Sequence, residues 1–272
     1  MRALQRVRIG IIGAGHMGQA LIRGLLQAGV PSGRVVVVEA DASTRQRVRR
    51  AFRVRGALLD EIARRCDVII VAVKPQDLPP VLDQLAQVLR TRGRTPLVIS
   101  IAAGVKLAAL QRRLSRVPVV RVMPNLPAKV GCGISAIATG RAVRPAHLAI
   151  ARAIFGSVGE VVELPERLFD AVTAISGSGP AYFFLIFKAL RDAGSRAGLP
   201  KRIAQRLALR TAAGSVALAE ASPQKLEDLI AQVASKRGTT EAALNVFRRR
   251  RLAEIIQAGV TAAIRRSRAL SK

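Results

Sequence analysis

The sequence predicts an α/β protein, with a doubly wound parallel sheet over residues 1–164 followed by an all-helical domain over residues 165–272. Three observations point to this. Short runs rich in valine and isoleucine alternate with amphipathic stretches through the first half. A glycine signature, G-x-G-x-x-G, sits between the first such run and the first helical stretch. After Leu164 the strand-like runs stop. A chain of 272 residues also exceeds the ~100–150 usual for one domain, so two are expected.

The strand-like runs are 7–12, 35–39, 68–73, 96–101 and 117–122, and they are almost uninterrupted in their apolar character. Strands buried on both faces of a parallel sheet have this character. Segments 17–28, 43–51, 78–89 and 106–114 between them have helical spacing, which makes βαβ units. Two further runs, 133–138 and 158–164, flank another helical stretch and extend the sheet. Beyond Pro165 the breaks fall at Gly198-Leu199-Pro200, Ser222-Pro223 and 235–238, with helices between. In 202–219, Ile203, Leu207, Leu209, Val216 and Leu218 recur at helical spacing, as on a packed face. Alanine and glycine are frequent there, so close helix–helix contact is expected, with part of the core supplied by a partner subunit.

Composition narrows the function classes. Hydrophobic residues make up 50% of the chain, enough for a sizeable core. No apolar run approaches the ~18–20 residues that span a bilayer, and no secretory segment opens the chain, so a cytosolic protein without a membrane partner is expected. Cys66 and Cys132 lack metal-ligand or redox spacing, and neither a disulfide framework nor a metal site is expected. The net charge of +28 raises the question of nucleic acid. However, only eight of the 45 basic residues are lysine, and the arginines are spread from Arg2 to Arg268 with one dense run at 248–251. Aromatics are 3% of residues and tryptophan is absent, which leaves few platforms for stacked bases. Solvated arginine-rich faces, with no specific nucleic-acid partner, are the expectation.

The glycine signature is Gly13, Ala14, Gly15, His16, Met17, Gly18, directly after the first strand run and opening the first helix. The first glycine permits a tight turn, the second lets backbone approach a pyrophosphate, and the third packs helix on strand. The helix N-terminus then faces the anion. This strand–turn–helix setting identifies a Rossmann-type dinucleotide site. Glu39, 21 residues after Gly18, stands where an acidic side chain holds a ribose 2′-hydroxyl and repels a 2′-phosphate. NADH is therefore expected to serve at least as well as NADPH, although Arg45 or Arg47 offers a cation to a phosphate. Ala72-Val73-Lys74-Pro75 ends the third run, Ser100 to Gly104 with Ala102 and Ala103 ends the fourth, and Arg121 to Pro127 with Asn125 ends the fifth. Ligands of such sheets sit at the carboxyl ends of the strands, so these segments share one rim.

Two motifs remain in the second half. Ser235-Lys236-Arg237-Gly238-Thr239-Thr240 places a glycine and two hydroxyls ahead of a helix, an arrangement suited either to capping or to holding an anion. Ser176-Gly177-Ser178-Gly179-Pro180-Ala181-Tyr182 brings small residues together ahead of an apolar helical run. With G-A-G-H-M-G, A-V-K-P, S-I-A-A-G and M-P-N-x-P in this order, the chain resembles the pyrroline-5-carboxylate reductases over nearly its whole length.

The resemblance implies reduction of a cyclic imine to L-proline with NAD(P)H, by a homodimer or ring of dimers paired through the helical domain. It implies that Ala72, Val73, Lys74 and Pro75 lie along the cofactor, although Lys74 also reads as a solvent-facing turn lysine, and that Asn125 donates its amide near the nicotinamide. Gly238, Thr239 and Thr240 would grip the substrate carboxylate, with Thr240 beside the ring nitrogen as the catalytic hydroxyl. Ser176, Gly177, Ser178 and Gly179 would lie near the substrate, as would Glu220. Leu126 replaces a family threonine and Arg237 a family glycine. Two alternatives stay open: a related NAD(P)-dependent 2- or 3-hydroxy acid dehydrogenase, and a cofactor-binding protein of the same fold with impaired catalysis. A Ser/His/Asp triad is not supported, because His16 and His147 are the only histidines and neither has a nucleophile motif around it.

Overall fold

The computed structural model describes residues 4–271; Met1, Arg2, Ala3 and Lys272, at the outer ends of the two expected domains, lie outside the described residues. In chain order the elements are β1 (Ile9–Ile12), α1 (His16–Gln27), β2 (Val35–Val38), α2 (Ala42–Phe52), β3 (Arg55–Gly56), α3 (Leu59–Arg65), β4 (Val68–Val71) and α4 (Leu78–Arg90). Next come β5 (Leu97–Ser100), α5 (Leu107–Arg113), β6 (Val119–Met123), β7 (Gly133–Thr139), α6 (Pro145–Gly156), β8 (Gly159–Glu163) and the single turn α7 (Phe169–Val172). The helices α8 (Gly179–Arg196), α9 (Lys201–Ala221), α10 (Leu226–Val233), α11 (Thr239–Arg249) and α12 (Leu252–Leu270) complete the chain.

The strands form one sheet in the order β3-β2-β1-β4-β5-β6-β7-β8, parallel at every pairing except β6 with β7. Side chains alternate between its faces. Ile9, Ile11, Val35, Val37, Ile70 and Ile99 enter a core with α1 and α6. Ile12, Val36, Ile69, Val71 and Val98 enter a second core with α3, α4 and α5. Helices thus cover both faces, which explains why the strands read as continuous apolar runs.

All the observed strands but β7, which gains Thr139, are shorter than the sequence runs. Residue 7 lies outside β1 because Leu4–Arg6 forms a 3₁₀ turn, closed by the Val7 N–H on the Leu4 carbonyl at 3.2 Å. At the far end of β2, the Val38 carbonyl accepts from the Gly13 N–H at 2.8 Å, and the chain turns away before Glu39. β3 and α3 had no sequence signal. β3 is a two-residue edge strand without an apolar residue, and α3 spans only two turns.

Arg121, in the middle of β6, is 5% exposed. Its guanidinium donates to Glu166 at 2.8 Å and lies 4.8 Å from the centroid of the Phe169 ring. Glu166 also accepts the Leu107 N–H at 2.6 Å, so one carboxylate ties β6 and α5 to the segment after β8.

The chain divides into two compact units, Met1–Ser178 with Ala263–Lys272, and Gly179–Ala262. In the first, Asp170 accepts hydrogen bonds from Ser267 at 2.7 Å and Ser271 at 3.3 Å, which anchors the C-terminal turns. In the second, α8 packs on α9 through small residues: a Cβ added at Gly194 would stand 3.1 Å from that of Ala204. The apolar repeat on α9 has the expected helical spacing but is not packed within the subunit. Ile203, Leu207, Leu209, Val216 and Leu218 are all more than 40% exposed. No helix among the described residues is long and apolar enough to cross a membrane.

Candidate active site

The carboxyl rim is built around the point where the strand order reverses, between β1 and β4. Gly13 leaves β1 with φ +94°, and a Cβ there would stand 2.7 Å from the Ala72 carbonyl oxygen beyond β4. The crossing of the two turns therefore requires glycine. Gly18 lets α1 lie against the backbone of Gly13. Gly15, the N-cap of α1, is exposed and has no atom within 4 Å of the place its Cβ would take. No side chain caps α1, so its first N–H groups face outward unsatisfied.

A cleft of about 470 Å³ opens here, lined by Ala14, Gly15, His16 and Met17 from the glycine turn, Ala72 to Pro75 from the next, and Ala102 and Ala103 after β5. These ten residues were all expected at the cofactor. Gly13 and Gly18 shape the turn from behind. The exposed Gly15 and the uncapped helix start provide the donors and the clearance that a pyrophosphate needs, so the residues present fit a dinucleotide. The sequence reading missed Gln19 and Thr44 on the cleft wall, and placed Arg47 there only as an option. Gln19 fixes the turn by donating to the Ala14 carbonyl at 2.6 Å. Its position one residue past the signature was the available signal.

Glu39 stands beside the cleft with both oxygens engaged. It accepts the Ala14 N–H at 2.7 Å and the Asp41 N–H at 3.1 Å. Arg45 is turned to the carbonyls of Glu39 and Ala40, at 2.7 and 3.3 Å, while Arg47 donates to the Thr44 hydroxyl at 3.0 Å. Asp41 caps α2: the Ser43 hydroxyl and the Thr44 N–H, each 2.7 Å away, lower its pKa from 3.8 to about 2. Asn125, at the end of β6, is buried, and its carbonyl oxygen accepts the Ile134 N–H at 3.0 Å. Its amide nitrogen forms no hydrogen bond among the described residues, and Asn125 does not line the cleft.

The small-residue motif begins within the first unit. Residues Thr173–Gly177 form a π turn, a widening that recurs at functional sites. The Ser176 hydroxyl within it is shielded from solvent and has no hydrogen-bond partner among the described residues. In the second unit, Gly179 opens α8, and Gly238 is the N-cap of α11 without any side-chain cap. Thr239 and Thr240 form the first turn of α11, and neither hydroxyl is hydrogen-bonded among the described residues. They do not serve as caps. Arg237 adopts φ +58°, and its N–H donates to Glu241 at 2.6 Å. Glu220 lies exposed in the last turn of α9 and forms no ion pair among the described residues. Lys188, the first lysine after Gly179, is exposed and paired with Asp192 at 3.0 Å one turn further along α8.

Fold and rim together define a nicotinamide-dinucleotide-dependent oxidoreductase. Residues 8–104 match the family described as NADP oxidoreductase coenzyme F420-dependent, and residues 166–270 match pyrroline-5-carboxylate reductase dimerisation. The chain is 41% identical over 268 residues to the pyrroline-5-carboxylate reductase of Synechocystis sp., covering 98% of this chain and 99% of that one. It superimposes on a pyrroline-5-carboxylate reductase from Coxiella burnetii with a TM-score of 0.91 at 32% identity, covering 98% and 99% of the two chains. The Plasmodium falciparum pyrroline carboxylate reductase, solved with NADP bound, gives 0.88 at 30% identity, covering 99% and 100%. The chain belongs to the pyrroline-5-carboxylate reductase family.

Proposed function

We propose that the chain reduces 1-pyrroline-5-carboxylate to L-proline. The observation that carries this reading is the coexistence of a glycine-built dinucleotide rim with an uncapped Gly238-Thr239-Thr240 helix start, in a chain whose full-length relatives are named for this reaction. A reduced nicotinamide bound along the rim supplies the hydride for the C=N carbon. The protein supplies position and charge, which is where most of the catalysis of such a transfer arises. The outward N–H groups of α11, with the Thr239 hydroxyl, hold the substrate carboxylate. The Thr240 hydroxyl stands by the ring nitrogen and keeps it polarised. Ser176, Gly177, Ser178 and Gly179 allow backbone to approach the ring, and Glu220 borders the site. We assign residues 1–164 to the cofactor and 165–272 to substrate and dimerisation, which the match at 166–270 supports, although residues 165–178 and the C-terminal turns pack with the first compact unit.

The cofactor is NAD(P)H, with NADH serving at least as well as NADPH. A carboxylate held in place by two backbone donors opposes a 2′-phosphate, and Arg45 is committed to carbonyls. The enzyme works as a homodimer or ring of dimers. The deciding experiment follows oxidation of NADH and of NADPH with pyrroline-5-carboxylate, and compares kcat/KM for the two. Absence of turnover with either cofactor overturns the reaction. Turnover confined to NADPH overturns the role of Glu39 alone.

A further inference from the structure

The amino ends of the strands, on the opposite side of the sheet from the cofactor rim, carry charge that the reaction does not use. A cleft of about 510 Å³ there is lined by Arg6, Arg94, Arg144, His147 and Asp67. A smaller one, of about 160 Å³, is lined by Arg8, Arg55, Arg65, Glu61 and Cys66. The two adjoin through consecutive residues, Cys66 on one wall and Asp67 on the other. Six arginines thus face two carboxylates.

Those carboxylates are already engaged. Glu61 pairs with Arg55 at 2.5 Å and Arg65 at 3.8 Å, and Asp67 pairs with Arg94 at 3.4 Å. Among the described residues, Arg6, Arg8 and Arg144 form no ion pair. His147 adds no charge of its own. It accepts the Arg144 N–H at 3.2 Å, and desolvation and the neighbouring Arg144 lower its pKa from 6.5. No aromatic residue lines either cleft, so nothing there stacks on a base. The larger volume is that of a small-molecule site, and fork-shaped guanidinium groups match phosphate oxygens.

We propose that these adjoining clefts bind an oligophosphate, a short chain of phosphate groups held by Arg6, Arg8 and Arg144. The chain itself is what is recognised. The same chemistry comes from an inorganic polyphosphate or from the tail of a nucleoside triphosphate, and the absence of aromatic residues predicts that the nucleoside adds nothing.

Calorimetric titration of the full chain, with the cofactor rim saturated by NADH, tests this using tripolyphosphate, ATP and adenosine. Tripolyphosphate is expected to bind at least as tightly as ATP, and adenosine not at all. Arg6→Gln with Arg144→Gln should weaken tripolyphosphate at least about tenfold. Arg6→Gln with Arg8→Gln should do the same while leaving the start of α6 intact. Arg248→Gln with Arg249→Gln, in the densest arginine run, should leave binding unchanged. The proposal is overturned by failure of tripolyphosphate to bind, by binding of ATP alone, or by equal losses in all three variants. A single-stranded RNA that binds more tightly than tripolyphosphate and competes with it also overturns it, since the face would then be a nucleic-acid surface.

Discussion

At the scale of single residues, Gly13 and Gly15 of the cofactor turn separate folding from binding. Gly13 has φ +94° and the Ala72 carbonyl where a Cβ would go, so Gly13→Ala strains the fold. We expect a loss of about 2 kcal/mol, measured by urea denaturation. Gly15 meets nothing within 4 Å. Gly15→Val should therefore keep the melting temperature of the parent yet weaken NADH at least about tenfold in a fluorescence titration, because the side chain fills space kept for pyrophosphate. Glu39 presents a third case. Glu39→Ser removes the carboxylate that accepts from Ala14 and Asp41. The NADPH-to-NADH ratio of kcat/KM should rise at least about tenfold, and an unchanged ratio would exclude Glu39 from cofactor choice.

At the scale of elements, two polar contacts add to what the apolar cores hold. The start of α2 depends on Asp41, whose carboxyl is lowered from 3.8 to about 2 by Ser43 and Thr44. A depressed carboxyl stabilises the fold above its unfolded value and loses that contribution as pH falls through the folded one. The melting temperature of Asp41→Ala should accordingly lie below the parent's at neutral pH, with the gap closing between pH 3.8 and about 2. Glu166 is the other contact. Glu166→Gln leaves the guanidinium of Arg121, 5% exposed, without its counter-charge. The cost should be about 2 kcal/mol, below the buried-pair range because Glu166 itself is partly solvated. By contrast, Glu163→Gln, which breaks a surface pair with Arg152, should leave the melting temperature close to the parent's.

At the scale of the whole molecule, the second unit leaves too much apolar surface in water for a lone subunit. Phe183, Phe184, Leu185, Val216, Leu226 and Ile255 are each more than half exposed. Isolated subunits rarely leave so many large apolar side chains in water, which is the pattern expected of a face covered by a partner subunit. Light scattering should therefore report at least a dimer. Leu185→Asp, which adds a charge at a position 67% exposed within the subunit, should yield folded monomer with reductase activity sharply reduced. A monomer of undiminished activity would separate catalysis from assembly.

The sequence by itself determined the elements whose signals are local. Runs of β-branched residues became β1, β2, β4, β5 and β6. The glycine spacing became a turn that needs φ +94°, and the apolar repeat of 202–219 became α9. Each follows from steric and burial preferences that act over a few residues. β3 and α3 gave no such signal, because a two-residue edge strand and a two-turn helix take their stability from neighbours distant in the chain. The same holds for the rim. Its glycines and A-V-K-P were readable, whereas only the folded sheet sets Thr44 and Gln19 on one wall with Ala103. Only the folded sheet engages both oxygens of Glu39. Tertiary structure also decided where the charge lies: arginines scattered from Arg6 to Arg144 converge at the amino ends of strands that parallel pairing brings side by side.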